Sequence, residues 1–138
     1  MKLVLDTNIY IAAFLSKGLA SKIIELGEEE KVDIYASREI LEEVQSRLVN
    51  KLKFDESYIK EYVDHTTSGV NIVSPKRKLK VIKNDQTDNK ILECAIESKV
   101  DLIVSMDKHL IKLKTYEGIG IIHPKTLTWI LPKLFEGN

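Results

Sequence analysis

The sequence predicts a three-layer α/β domain, with a central parallel sheet of about five strands flanked by helices. Short β-like runs alternate with helical runs of about ten residues, the signature of crossover connections between parallel strands. The chain of 138 residues is long enough to bury a core without disulfides or a structural metal. Its single cysteine, Cys94, excludes a disulfide framework and a cysteine-based zinc site. No repeat, low-complexity tract or internal linker interrupts it, so residues 1–138 are expected to form one domain.

The elements follow in order. Leu3-Val4-Leu5 reads as a buried strand, and Ile9 to Leu15 has helical spacing, with Thr7 and Asn8 available as caps. Ser21 to Leu26 continues helically and stops at Gly27; Val32 to Ala36 is the next strand. Ser37 starts a helix whose apolar arc runs through Ile40, Leu41, Val44 and Leu48. A helix over Glu56 to His65 precedes strand Val70 to Val73, closed by Ser74-Pro75. Thr87 or Asp88 caps a helix to about Ser98, and Asp101 to Val104 is a strand. Lys108 to Leu113 is a short helix and Ile119 to Ile122 the last strand. Pro124 suits the first turn of a final helix carrying Leu127, Ile130, Leu131 and Leu134.

Ligands of such sheets bind outside the carboxyl ends of the strands. Four acids fall at that edge. Asp6 ends the first strand and Asp107 follows Val104 after Ser105-Met106. Asp88 starts the helix that leads into that strand, in phase with Ile91 and Leu92. Glu43 borders the apolar arc of its helix, whereas Glu39 and Glu42 are expected to be solvated. Any one of these acids alone is as well explained by a helix cap or a surface charge. Together at one rim they raise one another's pKa unless a cation sits among them. Carboxylate-only ligation suits Mg²⁺ or Mn²⁺, which keep waters for substrate phosphates and serve phosphodiester hydrolysis. His65, His109 and His123 show no ligand spacing.

These segments resemble the PIN-domain family of metal-dependent ribonucleases. Leu3-Val4-Leu5-Asp6-Thr7-Asn8 looks like the family's opening. Ser37 to Val44 resembles its second motif, with Glu43 the aligned acid; Asp85 to Ala95 resembles the third, with Asp88. Asp101 to Leu110 resembles the fourth, with Asp107. Each motif alone is weak, while the ordered set covers nearly the whole chain. Within the family the chain is similar to VapC-type toxins of prokaryotic toxin–antitoxin systems. The resemblance implies a PIN-like fold and a Mg²⁺- or Mn²⁺-dependent endoribonuclease. It also implies a homodimer, neutralised by a small antitoxin protein in the active groove, with Asp6, Glu43, Asp88 and Asp107 as metal ligands and catalytic acids. Asp85 competes with Asp88 as a ligand, and helical phase favours Asp88. Asn8 either orients a ligand or water, or caps its helix.

Lys76, Arg77, Lys78, Lys80 and Lys83 form a basic run with no acid between them. It leads into the third motif, so it reads equally as an RNA phosphate track or as a solvated loop. The total charge is neutral, 21 basic against 21 acidic residues, which excludes a generally cationic coat. No apolar run approaches the ~20 residues of a membrane span, and Asp6 comes too early for a signal peptide; a cytoplasmic protein without membrane contact is expected. A phosphoacceptor receiver domain would need paired acids after the first strand, where Thr7-Asn8 follow Asp6. An Asp-nucleophile phosphatase would need an acid at position 8. The remaining alternative is a non-toxic RNA-processing nuclease, or a PIN-like scaffold acting by partner binding.

Overall fold

The computed structural model describes residues 1–82 and 86–136. Six strands form one sheet: β1 (Lys2–Leu5), β2 (Asp33–Ser37), β3 (Val70–Val73), β4 (Leu102–Val104), β5 (Thr115–Tyr116) and β6 (Ile119–Ile122). Their spatial order is β3-β2-β1-β4-β6-β5. All neighbours are parallel except the β5–β6 pair. The parallel layer agrees with the sequence reading. The two-residue β5 is too short to leave a periodicity, and it pairs back on β6 through a tight turn. Both turn residues, Glu117 (φ 48°) and Gly118 (φ 83°), have the left-handed backbone such turns require.

β1 is the most buried strand, flanked by β2 and β4, and Leu3, Val4 and Leu5 are fully buried. Strands covered on both faces are continuously apolar rather than alternating. Helices α1 (Thr7–Leu15) and α2 (Leu19–Glu28) connect β1 to β2. Gly27 lies inside α2, not beyond it; the position needs a glycine because a side chain there would collide with Ile34 of β2. Ser37 caps α3 (Arg38–Ser46), its Oγ accepting the Ile40 N–H at 3.3 Å. The expected continuous helix through Leu48 instead widens into a π-helical turn over Arg47–Lys51. Helix α4 (Glu56–Thr67) returns to β3.

Helix α5 (Gln86–Ser98) starts above the carboxyl edge of the sheet and ends at its other edge, where the Ser98 carbonyl accepts from Lys2 Nζ at 2.7 Å. Helix α6 (Lys108–Leu113) leads towards β5 and β6. The single final helix expected from sequence is two: α7 (Pro124–Ile130) and α8 (Pro132–Phe135). Pro132 is the reason, since it lacks an N–H and pushes Leu131 out of helical backbone (φ −122°, ψ 57°). No helix of the described residues is long and apolar enough to cross a membrane.

Candidate functional site

Each candidate acid is placed by a local structural rule. Asp6 leaves β1 in extended backbone (φ −64°, ψ 153°) and occupies the cap position of α1. Its side chain forms no cap hydrogen bond there, and it is buried, 2% exposed. Its Oδ2 accepts the Ser105 hydroxyl at 2.7 Å. The same hydroxyl oxygen accepts the Asp107 N–H at 2.9 Å. Ser105 thus ties the end of β1 to the loop beyond β4.

Asp107 caps α6: its Oδ1 accepts the N–H groups of His109 (2.7 Å) and Leu110 (3.2 Å). Capping and half-exposure at the rim coexist, because a carboxylate has more lone pairs than the cap consumes. Burial holds the Asp6 carboxyl above the usual carboxylate range. The Ser105 hydrogen bond opposes this shift, and the charge of Asp107 adds to it. Desolvation, rather than crowding among acids, is the larger cause.

Glu43 and the first turn of α5 meet on the other side. Glu39, Ile40, Glu43, Gln86, Thr87 and Lys90 line one cleft between α3 and α5. Asp88 lies in that first turn of α5 and is 2% exposed. The expectation that Glu39 is solvated is corrected. It is half-buried and shares the cleft with Glu43, since residues four apart stand only about 40° apart around a helix. Glu42 is exposed and borders a different groove, with Gln45, Ser46, Asn50 and Glu56.

Among the described residues, no three His, Cys, Asp or Glu side chains stand close enough to hold one ion in their present orientations. The donors still suit a hard divalent cation chemically. They are all oxygen, Asp6 is desolvated, and no Lys, Arg or His of the described residues pairs with it. Asp85 and Lys83 lie outside the described residues.

The described part of the basic run, residues 76–82, forms an extended strap along α5, pinned by one stripe of that helix. Glu97 accepts the Lys76 N–H at 3.0 Å and Glu93 the Leu79 N–H at 2.9 Å. Asn89 accepts the N–H groups of Val81 and Ile82, both at 3.0 Å, and donates to the Ile82 carbonyl at 2.8 Å. Leu79 and Val81 pack towards the core while Lys78 and Lys80 point outwards, the alternation of an extended chain, and Ile82 packs inwards at the bend that follows. Its Lys76 end is therefore about 14 Å along α5 from Asp88, and Arg77 is held there by Glu117 through two hydrogen bonds of 2.8 and 2.9 Å. The Lys80 end lies nearest the acids. Sequence reading missed Ser105, Glu39 and the strap anchors Asn89 and Glu93. Only Glu39 had a signal, its helical phase with Glu43.

An all-oxygen rim at the carboxyl edge of a β3-β2-β1-β4-β6-β5 sheet defines a class. The PIN domain family model matches residues 2–109, so the chain belongs to the PIN-domain family, whose members are nucleases. The protein MJ1680 of Methanocaldococcus jannaschii is 34% identical over 143 residues, covering 98% of this chain and 89% of that protein. The crystal structure of VapBC2 from Rickettsia felis bound to a DNA fragment from their promoter contains a chain of similar fold. Its TM-score is 0.64 at 19% identity, over 88% of this chain and 97% of that one.

Proposed function

We propose that this PIN-domain nuclease is a Mg²⁺- or Mn²⁺-dependent endoribonuclease, the toxin of a type II toxin–antitoxin pair. The observation that carries the catalytic part is Asp6: a desolvated carboxylate with no cationic partner among the described residues and with Asp107 bearing on it. Asp6, Glu43, Asp88 and Asp107 would hold the metal. A bound divalent ion supplies an activated water and neutralises charge developing on the phosphate. Ser105 orients Asp6 through its hydroxyl. Asp107, fixed by its cap bonds, keeps a constant position at the rim. Lys78 and Lys80 face solvent on the strap and would add salt-sensitive affinity for the RNA backbone.

The toxin assignment rests on likeness to a chain of a VapBC2 structure, and an antitoxin is the partner it calls for. Trp129, 77% exposed at the end of α7, is a large apolar side chain that a protein partner would cover. The test is cleavage of single-stranded RNA and DNA oligonucleotides in Mn²⁺ and in EDTA. RNA cleavage abolished by EDTA and by Asp6→Asn, with Glu42→Gln active, is the expected result. Cleavage surviving EDTA, or equal losses for Glu42→Gln and Glu43→Gln, contradicts the assignment. Growth arrest on expression, relieved by the product of a neighbouring short gene, separates a toxin from a housekeeping nuclease.

A further inference from the structure

Arg47 stands where α3 gives way to the π-helical turn. Its N–H points to the carbonyls of Glu43 and Val44, and its own carbonyl accepts the Leu52 N–H five residues on, at 3.1 Å. Such π-helical turns are rare and concentrate at functional sites. A helix offers Arg47 an obvious partner in Glu43, four residues earlier, the favourable order for an acid and a base. That pair does not form. Among the described residues, no carboxylate lies within 4.0 Å of the Arg47 guanidinium. Its Nη1 instead donates to Asn8 Oδ1 at 2.8 Å, across to the first turn of α1 and two residues beyond Asp6.

The choice of partner matters. A carboxylate would fix the guanidinium and cancel its charge, whereas an amide oxygen fixes it and leaves the charge intact. Arg47 is half-buried, and a guanidinium has five donors in a planar fork that matches phosphate oxygens. The surrounding rim is acidic and by itself repels an RNA strand.

We propose that Arg47 binds a backbone phosphate of the RNA next to the scissile one, with Asn8 as its positioning residue. This rests on the ribonuclease reading. The tie to Asn8 holds the guanidinium beside the first turn of α1, two residues beyond Asp6, where a strand whose scissile phosphate lies at the acids would pass. Asn8, open in the sequence between cap and orienting residue, then orients a cation rather than a water.

The test is RNA binding in EDTA, by fluorescence anisotropy of a single-stranded oligonucleotide across a salt series, with turnover in Mn²⁺ measured alongside. Arg47→Gln should weaken binding ~10-fold, as loss of one charge-assisted contact does, and flatten the log–log salt slope by about 0.7. In turnover it should raise KM more than it lowers kcat. Asn8→Asp is the second variant. It keeps the tie to Arg47 and the fold but places a negative charge against the guanidinium, so RNA binding should fall as far as with Arg47→Gln while the melting temperature holds. If Asn8→Asp binds RNA like wild type, or Arg47→Gln lowers only the melting temperature with slope and KM unchanged, Arg47 is a structural tie and the proposal is overturned. A wild type that neither binds nor cleaves RNA overturns the ribonuclease reading and this inference together. Cleavage by wild type with unchanged Arg47→Gln overturns this inference alone.

Discussion

The hydroxyl of Ser105, fully buried, donates to Asp6 Oδ2 at 2.7 Å, and its oxygen also accepts the Asp107 N–H. One small side chain therefore sets two of the four acids. Removing it leaves a buried carboxylate oxygen and a backbone N–H without their partner. Ser105→Ala should cost about 1–3 kcal/mol of stability and weaken Mn²⁺ binding, while Ser105→Thr should keep most of both. Denaturant titration with and without Mn²⁺ checks this. An unchanged midpoint and unchanged metal response in Ser105→Ala would show the bridge to be incidental.

Asp6 gives the metal-free protein a pH signature. Its carboxyl titrates above the 3.8 of an ordinary aspartate, mainly because it is buried. Between 3.8 and the higher native value, the folded state holds the proton that the unfolded chain has lost. Asp6 therefore contributes less to stability as pH rises through that window, and above it the full cost of the buried charge is present. Asp6→Asn removes the buried charge and keeps an oxygen for the Ser105 hydroxyl. In EDTA it should melt no lower than wild type at pH 7, and the difference should shrink as pH falls towards 3.8. Melting curves from pH 7 to 3.5 decide. A variant far below wild type at neutral pH means the carboxylate is structural.

The strap predicts a local opening. Asn89 holds it with three hydrogen bonds to Val81 and Ile82. Asn89→Leu should cost about 1–3 kcal/mol, with the loss concentrated in that segment. Limited proteolysis should then cut near Lys78 and Lys80 well before global unfolding. Cutting no faster than in wild type would contradict the pinning.

Cys94 should be inert. It is fully buried on α5, and burial, opposed by the Ser98 hydrogen bond and assisted by the charges of Glu39 and Glu97, pushes its thiol up to about 12. The thiolate is the reactive form. Native protein should resist iodoacetamide at pH 8 and react only on denaturation; rapid native labelling would show the core to be open there.

Much of the fold was legible because its signals are local. Apolar runs such as Leu3-Val4-Leu5 mark buried strands, and strand-end residues must fall at one edge, which is how Asp6 and Asp107 stand out. What escaped depends on contacts distant in sequence. Nothing near Arg47 announces that its guanidinium turns from Glu43 to Asn8, 39 positions away. Nothing in residues 76–82 shows that Glu97, Glu93 and Asn89 draw them along α5. Glu39 is readable in the sequence, because four residues of helix bring a side chain back to nearly the same face as Glu43. Pro132 likewise announces its break, and the apolar spacing across it obscured that.

The claim that the four acids form a divalent-metal centre is tested most directly by thermal melts of wild type, Asp88→Asn and Glu42→Gln, each in EDTA and in excess Mn²⁺. At a hundredfold excess over its dissociation constant, a ligand that binds only the native state stabilises it by about 2.7 kcal/mol. Wild type and Glu42→Gln should shift upwards together by several degrees in Mn²⁺, and Asp88→Asn much less, with its EDTA melting temperature at or above that of wild type. Equal Mn²⁺ shifts in all three, with Asp88→Asn melting many degrees lower in EDTA, would make Asp88 a structural carboxylate and contradict a metal centre.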